Sequence, residues 1–474
     1  MDSPITLPLW QFLLLVLLAL WASLTLFLLP SARWFLRRRV NRVLERVDQK
    51  LHIRLQPFKM TKRRVLIDRL VYDPDVLAAM EQHVLDEGLP REVALERVER
   101  YAREIVPAFN AYAYFAFGYA LSRRIASSLF RLRLGTTDEA ALEEIEPTST
   151  VVFVMNHRSN MDYIMVSYLA ASRTALSYAV GEWARIWPLQ QLVRAMGAFF
   201  VRRRSRNALY RKVLERYVQM ATASGVTQAI FPEGGLSRDG RLSPPKLGLI
   251  DYIVRDFDPA AERDVVFVPV GLNYDRTFED RTLLASRTEA GAPSGSKKGR
   301  ARSAWTTARF IGRNVGLMVR SKWFRFGYAC VNFGKPVSLR AWLAAAECGP
   351  PRTLEREERI TAVEALAADL MIAIGEVVPV LPVALVAEVF LANDKPISKL
   401  EIEARVFERM QALEGVGAKL YVPRKDRSYA IECGLRMLSL RHLVDETEGL
   451  FEMRTAERPL LEYYANSIQH LASA

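Results

Sequence analysis

Cysteine and histidine are scarce in this chain, with three and five copies in 474 residues. Cys330, Cys348 and Cys433 form no Cys-x-x-Cys pair and no cluster with histidine. That excludes a disulfide framework and a zinc motif, and points to a reducing compartment. No internal repeat and no nucleic-acid-binding motif is visible. Acidic residues are in deficit, 53 Asp and Glu against 66 Lys and Arg, for a net charge of +13. Such a surplus suits anionic partners: lipid headgroups, nucleic acid, an acidic carrier protein or a phosphorylated substrate. Half of the residues are apolar, enough for a sizeable core, and the length allows two or three domains.

Residues 9–29 carry no charged side chain, and 21 such residues suffice to cross a ~30 Å hydrocarbon core. Arg33, Arg37, Arg38, Arg39 and Arg42 follow, whereas the short N-terminus has only Asp2. The expectation is a membrane anchor with the bulk of the chain in the cytoplasm. A cleaved signal peptide fits less well, because a basic n-region and a small-residue cleavage site are missing. Residues 105–121 are aromatic-rich but hold Pro107 and Asn110, so a core or interfacial helix is expected. Residues 370–392 read as a buried helix, a break at Pro379 and Pro382, and a second helix.

Between residues 131 and 350 short β-branched runs alternate with helical stretches, the pattern of an α/β domain. Residues 151–155, 228–231 and 265–270 are the clearest buried-strand candidates. The expected organisation is an anchor and basic flank over 1–45, a helical region over 46–130, a catalytic domain over 131–350 and a mostly helical domain over 351–474. Residues 291–302 read as a basic, solvated loop.

Four segments carry the chemistry. The first is Asn156-His157-Arg158-Ser159-Asn160-Met161-Asp162, directly after a strand-like run. At 3.6 residues per turn, His157 and Asp162 cannot share a face of one regular helix. They meet if His157 sits in a turn and Asp162 in the first turn of the helix that follows. The second is Gly197-Ala198-Phe199-Phe200-Val201-Arg202-Arg203-Arg204, whose arginines suit bidentate phosphate binding, although taken by itself the segment reads rather as a basic surface turn. The third is Phe231-Pro232-Glu233-Gly234-Gly235-Leu236-Ser237-Arg238, followed by Arg241 and by Lys246 within Pro244-Pro245-Lys246-Leu247-Gly248. Its glycines let backbone approach a ligand, and its charged groups can orient a hydroxyl or bind phosphate. The fourth, Val268-Pro269-Val270-Gly271-Leu272-Asn273-Tyr274, reads as a structural strand.

In this order the four segments resemble the four blocks of the glycerolipid acyltransferases, and the chain looks most like their membrane-bound bacterial glycerol-3-phosphate acyltransferase branch. The resemblance is firm over residues 150–275 and looser at Tyr463-Tyr464-Ala465-Asn466. It implies an α/β acyltransferase domain with an N-terminal transmembrane helix and flanking helical regions, at the cytoplasmic side of the bacterial inner membrane. It further implies acyl transfer from acyl-CoA or acyl-carrier protein to the sn-1 hydroxyl of glycerol 3-phosphate, the first step of phospholipid synthesis, without a metal or other cofactor. His157 would be the general base and Asp162 its partner. Arg202, Arg203, Glu233, Gly234, Gly235, Arg238 and Lys246 would bind the acceptor, and Pro269 would shape the acyl side. Where the branch has arginine after Glu-Gly-Gly, this chain has Leu236, and it is short for that branch. The alternatives are sn-2 acylation of 1-acylglycerol 3-phosphate and a non-catalytic basic membrane protein.

Overall fold

The computed structural model describes residues 8–10, 16, 61–108, 119–170, 177–180, 194, 197–202, 205, 207–260, 263–288, 326–393 and 395–472. The chain divides into two compact units, Met1–Arg54 and Leu55–Ala474, and the sheet with its helices belongs to the second. The expected anchor over residues 9–29 lies outside the described residues except at Leu9, Trp10 and Val16, as do its arginine flank and the loop 291–302. Among the described residues no helix is long and apolar enough to cross a membrane.

Eight strands form the central sheet. They are β1 (Arg131–Thr137), β2 (Thr150–Met155), β3 (Ser177–Val180), β4 (Phe199–Phe200), β5 (Gln228–Ile230), β6 (Val265–Tyr274), β7 (Tyr328–Phe333) and β8 (Val337–Ser338). Their order is β1-β7-β6-β2-β5-β3-β4, with β8 also pairing to β6. β2 lies between β5 and β6, parallel to both, and every one of its residues is buried. A strand covered on both faces reads as an unbroken apolar run, which explains why residues 151–155 show no alternation. The three strands expected from the sequence are all present, but β6 runs on past Val270 to Tyr274. There it pairs antiparallel with β7, Val270 facing Phe333 and Tyr274 facing Ala329.

The helices cover this sheet through one apolar core. Helix Ala208–Ala223 buries Leu209, Val213 and Tyr217, and Asn207 caps its start by accepting the Tyr210 N–H at 2.8 Å. Asp73 caps helix Pro74–Glu87 and also takes the Arg216 guanidinium on both carboxylate oxygens, each at 3.0 Å. That pair ties the helices before the sheet to the crossover helix.

Helices Arg356–Val377 and Pro382–Leu391 are interrupted over residues 378–381, as the prolines at 379 and 382 dictate. A second core gathers Val383, Val386 and Phe390 with Ile402, Leu438 and Leu461. This region also holds a small sheet that its mostly helical sequence pattern did not suggest, in the order β10 (Val444–Thr447), β11 (Leu450–Met453), β9 (Ile397–Ser398).

Helix Arg458–Ala465 returns to the end of the sheet where β2 and β5 stop. Gly240 sits there at φ +91°, and a Cβ on it would lie 1.9 Å from the Tyr463 carbonyl oxygen. Asn466 Nδ2 donates to the Asp239 carbonyl at 2.8 Å, and the Arg158 guanidinium lies 4.8 Å from the Tyr463 ring centre. Gly240→Ala combines a left-handed backbone with a backbone clash, and is expected to destabilise the fold by roughly 2–4 kcal/mol. Chemical denaturation measures this, and an unchanged midpoint would contradict the close packing of Tyr463 on Gly240.

Candidate active site

The site begins where β2 ends. The Asn156 side chain behaves there like one more strand residue: its Nδ2 donates to the Leu272 carbonyl at 2.9 Å and its Oδ1 accepts the Leu272 N–H at 2.8 Å. The chain then turns, and Asp162 opens helix Asp162–Ala170. Turn and helix start bring the expected pair together, with His157 Nδ1 2.9 Å from Asp162 Oδ2 and both side chains fully buried. With Nδ1–H donating to the carboxylate, Nε2 carries the ring's lone pair. The ring is held by Phe231, with centroids 4.0 Å apart, and edge-on by Tyr163 at 5.6 Å.

Asp162 gathers further donors. Its Oδ2 accepts the N–H groups of Arg158 at 2.8 Å and Ser159 at 3.0 Å. Its Oδ1 accepts the Tyr274 hydroxyl at 2.5 Å. Burial, then the Asp162 charge, holds the Tyr274 phenol well above its ordinary pKa, so it remains a donor. Glu279 braces the same turn from the other side, accepting from Ser159 Oγ at 2.8 Å and from the Asn160 N–H at 3.2 Å. Burial raises its pKa as well.

Glu233 is buried beside the dyad, and both of its oxygens are taken by backbone. Oε1 accepts the His157 N–H at 2.8 Å and Oε2 accepts the Ser243 N–H at 3.0 Å. Burial pushes its pKa up to about 7, against the opposing pull of those two hydrogen bonds. Its geometry is that of a group holding the histidine backbone. Gly234, at φ +66°, has the Lys246 stem directly above it, where a Cβ would come within 2.7 Å of Lys246 Cδ. Gly235 continues that turn half-buried, while Arg238, Arg241 and Lys246 are exposed around it.

Arg158 is buried next to His157. Its Nη1 donates to the Gly240 carbonyl, while Nε and Nη2 have no hydrogen-bond partner among the described residues. Arg202 is placed differently from the sequence expectation of a phosphate grip: its guanidinium forks onto Glu104 at 2.8 and 2.6 Å and lies over the rings of Tyr101 and Tyr210. Its charge is already matched, because Glu104 is brought to it from far along the chain. Arg203 lies outside the described residues. Pro269 is buried in β6 opposite Val154, and its carbonyl accepts the Gly334 N–H at 2.8 Å. The missing N–H of this proline falls in the gap between the stretches paired with β7 and β8, where the ladder makes no demand for it. Among the described residues no three His, Cys, Asp or Glu side chains gather as a metal would need.

Tyr274, Glu279 and the Asn156 bridge are the members that sequence reasoning missed. The polar run Asn273-Tyr274-Asp275 after an apolar strand was a usable signal for the first; Glu279 offered none.

The Acyltransferase family model matches residues 138–273, and the model of the glycerol-3-phosphate acyltransferase C-terminal region matches residues 314–473. The chain is similar to a protein named glycerol-3-phosphate acyltransferase from Aeromonas hydrophila, at 26% identity over 87% of this chain and 50% of that one. It is similar to those of the same name from Xanthomonas campestris pv. campestris (27%; 92% and 49%) and Shewanella loihica (30%; 68% and 39%). It therefore spans about half the length, or less, of these curated relatives. Among solved structures, the 1-acyl-sn-glycerophosphate (LPA) acyltransferase of Thermotoga maritima aligns at TM-score 0.30 and 17% identity, over 65% of this chain and 95% of that one. That likeness is too slight to bear on fold or function. The dyad, the Glu233 turn and β6 as far as Asn273 fall within the first matched segment, and Tyr463 within the second, so the chain belongs to the glycerolipid acyltransferase superfamily.

Proposed function

We propose that this chain moves a fatty acyl group from a thioester, on coenzyme A or acyl-carrier protein, to the sn-1 hydroxyl of glycerol 3-phosphate. The observation that carries the reading is the buried His157–Asp162 pair with its Nδ1–H committed to the carboxylate. An alcohol is a weak nucleophile at neutral pH, and a positioned base accelerates its attack by ~10²–10⁴-fold. His157 Nε2 takes the hydroxyl proton as the oxygen bonds to the thioester carbonyl carbon. The C–S bond then breaks, and the imidazolium, stabilised by Asp162, returns the proton to the leaving thiolate. The transfer is redox-neutral and needs no cofactor besides the acyl donor.

Arg238 and Lys246, exposed around the Gly234 turn, are the side chains we assign to the acceptor's phosphate, with Gly235 on the same turn. Arg202 contributes by fixing the second block to Glu104, and Glu233 by fixing the His157 backbone. Pro269 would border the acyl side. Residues 9–29 would hold the enzyme at the cytoplasmic face of a bacterial inner membrane, beside the pool that receives its product. The Phe231-Pro232-Glu233-Gly234 form of the third block favours a second reading, sn-2 acylation of 1-acylglycerol 3-phosphate.

An assay with labelled acyl donor, offering glycerol 3-phosphate or its 1-acyl derivative, separates the two acceptors; consumption of only the latter would overturn the sn-1 assignment. His157→Ala and Asp162→Asn are each expected to lower kcat by ~10²–10⁴-fold, and full activity in His157→Ala would sink the mechanism. Tyr274→Phe removes one brace of Asp162 and is expected to lower kcat by about tenfold with KM unchanged. Glu233 binds a proton up to about pH 7 in the fold, whereas an unfolded chain releases it near 4.3. Its contribution to stability is thus fully present below about pH 4.3 and is lost as pH rises to 7. Measured against Glu233→Gln, the unfolding free energy of the parent chain should fall over that window and level off above it.

A further inference from the structure

Away from the dyad, the exposed edge of the main sheet forms a surface cavity of about 880 Å³. Arg123 and Arg124 reach it from helix Tyr119–Leu129, Arg131 and Arg133 from β1, and Arg424 from the short turn Pro423–Lys425. No carboxylate lines this cavity among the described residues, and none of the four blocks contributes to it. Guanidinium groups stay charged at any physiological pH, so five around one hollow repel one another.

What holds them there is neutral. Arg133 Nε donates to the Tyr421 hydroxyl at 2.9 Å, and Arg131 Nη1 to the Tyr328 hydroxyl at 3.3 Å. Arg424 stacks over Tyr429 with its guanidinium carbon 4.2 Å from the ring centre. These contacts aim the guanidiniums without cancelling their charge, and each leaves further N–H donors unused. Asp275 and Glu432 line a smaller neighbouring cavity that shares Arg131, and Asp426, two residues after Arg424, accepts the Tyr429 N–H at 3.0 Å. Asp275 is buried with its oxygens taken by the N–H groups of Tyr328, at 2.7 Å, and Val383, at 3.2 Å. Some exposed arginines elsewhere are matched with carboxylates, as in Arg91–Glu81, Arg405–Glu401 and Arg454–Asp445, whereas no carboxylate lines the cavity at β1 among the described residues.

We propose that this cavity is a second anion site, separate from the acyl-transfer site, that takes a phosphate-bearing ligand of at least two negative charges. Guanidinium forks and phosphate oxygens match in geometry as well as in charge. Two sources share that chemistry, a soluble phosphate ester and a phospholipid headgroup, and both can be offered to the full chain in nonionic detergent or reconstituted with lipid. One arm titrates inorganic pyrophosphate by calorimetry; the other measures binding to vesicles of phosphatidylcholine with and without cardiolipin, whose headgroup carries two phosphates. The double variant Arg133→Glu/Arg424→Glu changes only exposed side chains. It is expected to weaken at least one arm tenfold or more, with a shallower salt dependence. Loss in the pyrophosphate arm marks a soluble ligand, and loss in the vesicle arm alone marks a headgroup. The control Arg91→Glu/Arg356→Glu carries the same change in net charge at positions outside the cavity. Equal weakening by the control, or no saturable binding of either probe to the parent chain, would overturn the proposal. The readout is binding, so it stands or falls apart from the acyl-transfer reading.

Discussion

The site depends on one carboxylate. Asp162 accepts from the His157 ring, from two backbone N–H groups of its own turn and from the Tyr274 hydroxyl at the far end of β6. Each donor comes at a different angle, so the carboxylate has no freedom to rotate, and the imidazole that leans on it has none either. A charge buried this deeply is tolerable only when its oxygens are all engaged. The same hydrogen bonds that make burial tolerable therefore also set the direction of the histidine's lone pair.

Around that centre, other side chains fix backbone and leave the reactive groups alone. Glu233 grips the His157 N–H, Asn156 extends the pairing of β2 with β6, and Glu279 holds the residues between the dyad's members. Arg158 and Tyr463 bring the C-terminal region into the same assembly, with Gly240 as the point of closest approach. The second matched segment is thus in physical contact with the first.

The sequence was informative where physics is local. The unbroken apolar run of β2, the turn after it and the five-residue separation of His157 from Asp162 were enough to expect their meeting. The proline break before residue 382 was legible for the same reason. Pairings across long stretches were not. Arg202 read as a free cation because Glu104, its partner, lies 98 residues away, a separation no spacing rule bridges. Tyr274 stood within the fourth segment, but its bond to Asp162 lies across 112 residues, and it sits where β6 runs on to pair with β7. The small sheet of β9 to β11 was hidden because its strands are short and lie between strong helices.

The bonds that brace the dyad have a kinetic side. The His157–Asp162 contact closes a loop of 5 residues, but Glu233, Tyr274, Glu279 and Tyr463 reach that turn across separations of 76, 112, 120 and 305 residues. Closing loops of that length is slower and costs more chain entropy than closing a turn of 5 residues. A partly folded chain can contain the histidine and the aspartate, and even the turn between them, without possessing a rigid base. The rigidity of the base is therefore supplied by distant parts of the chain and not by the turn that carries it.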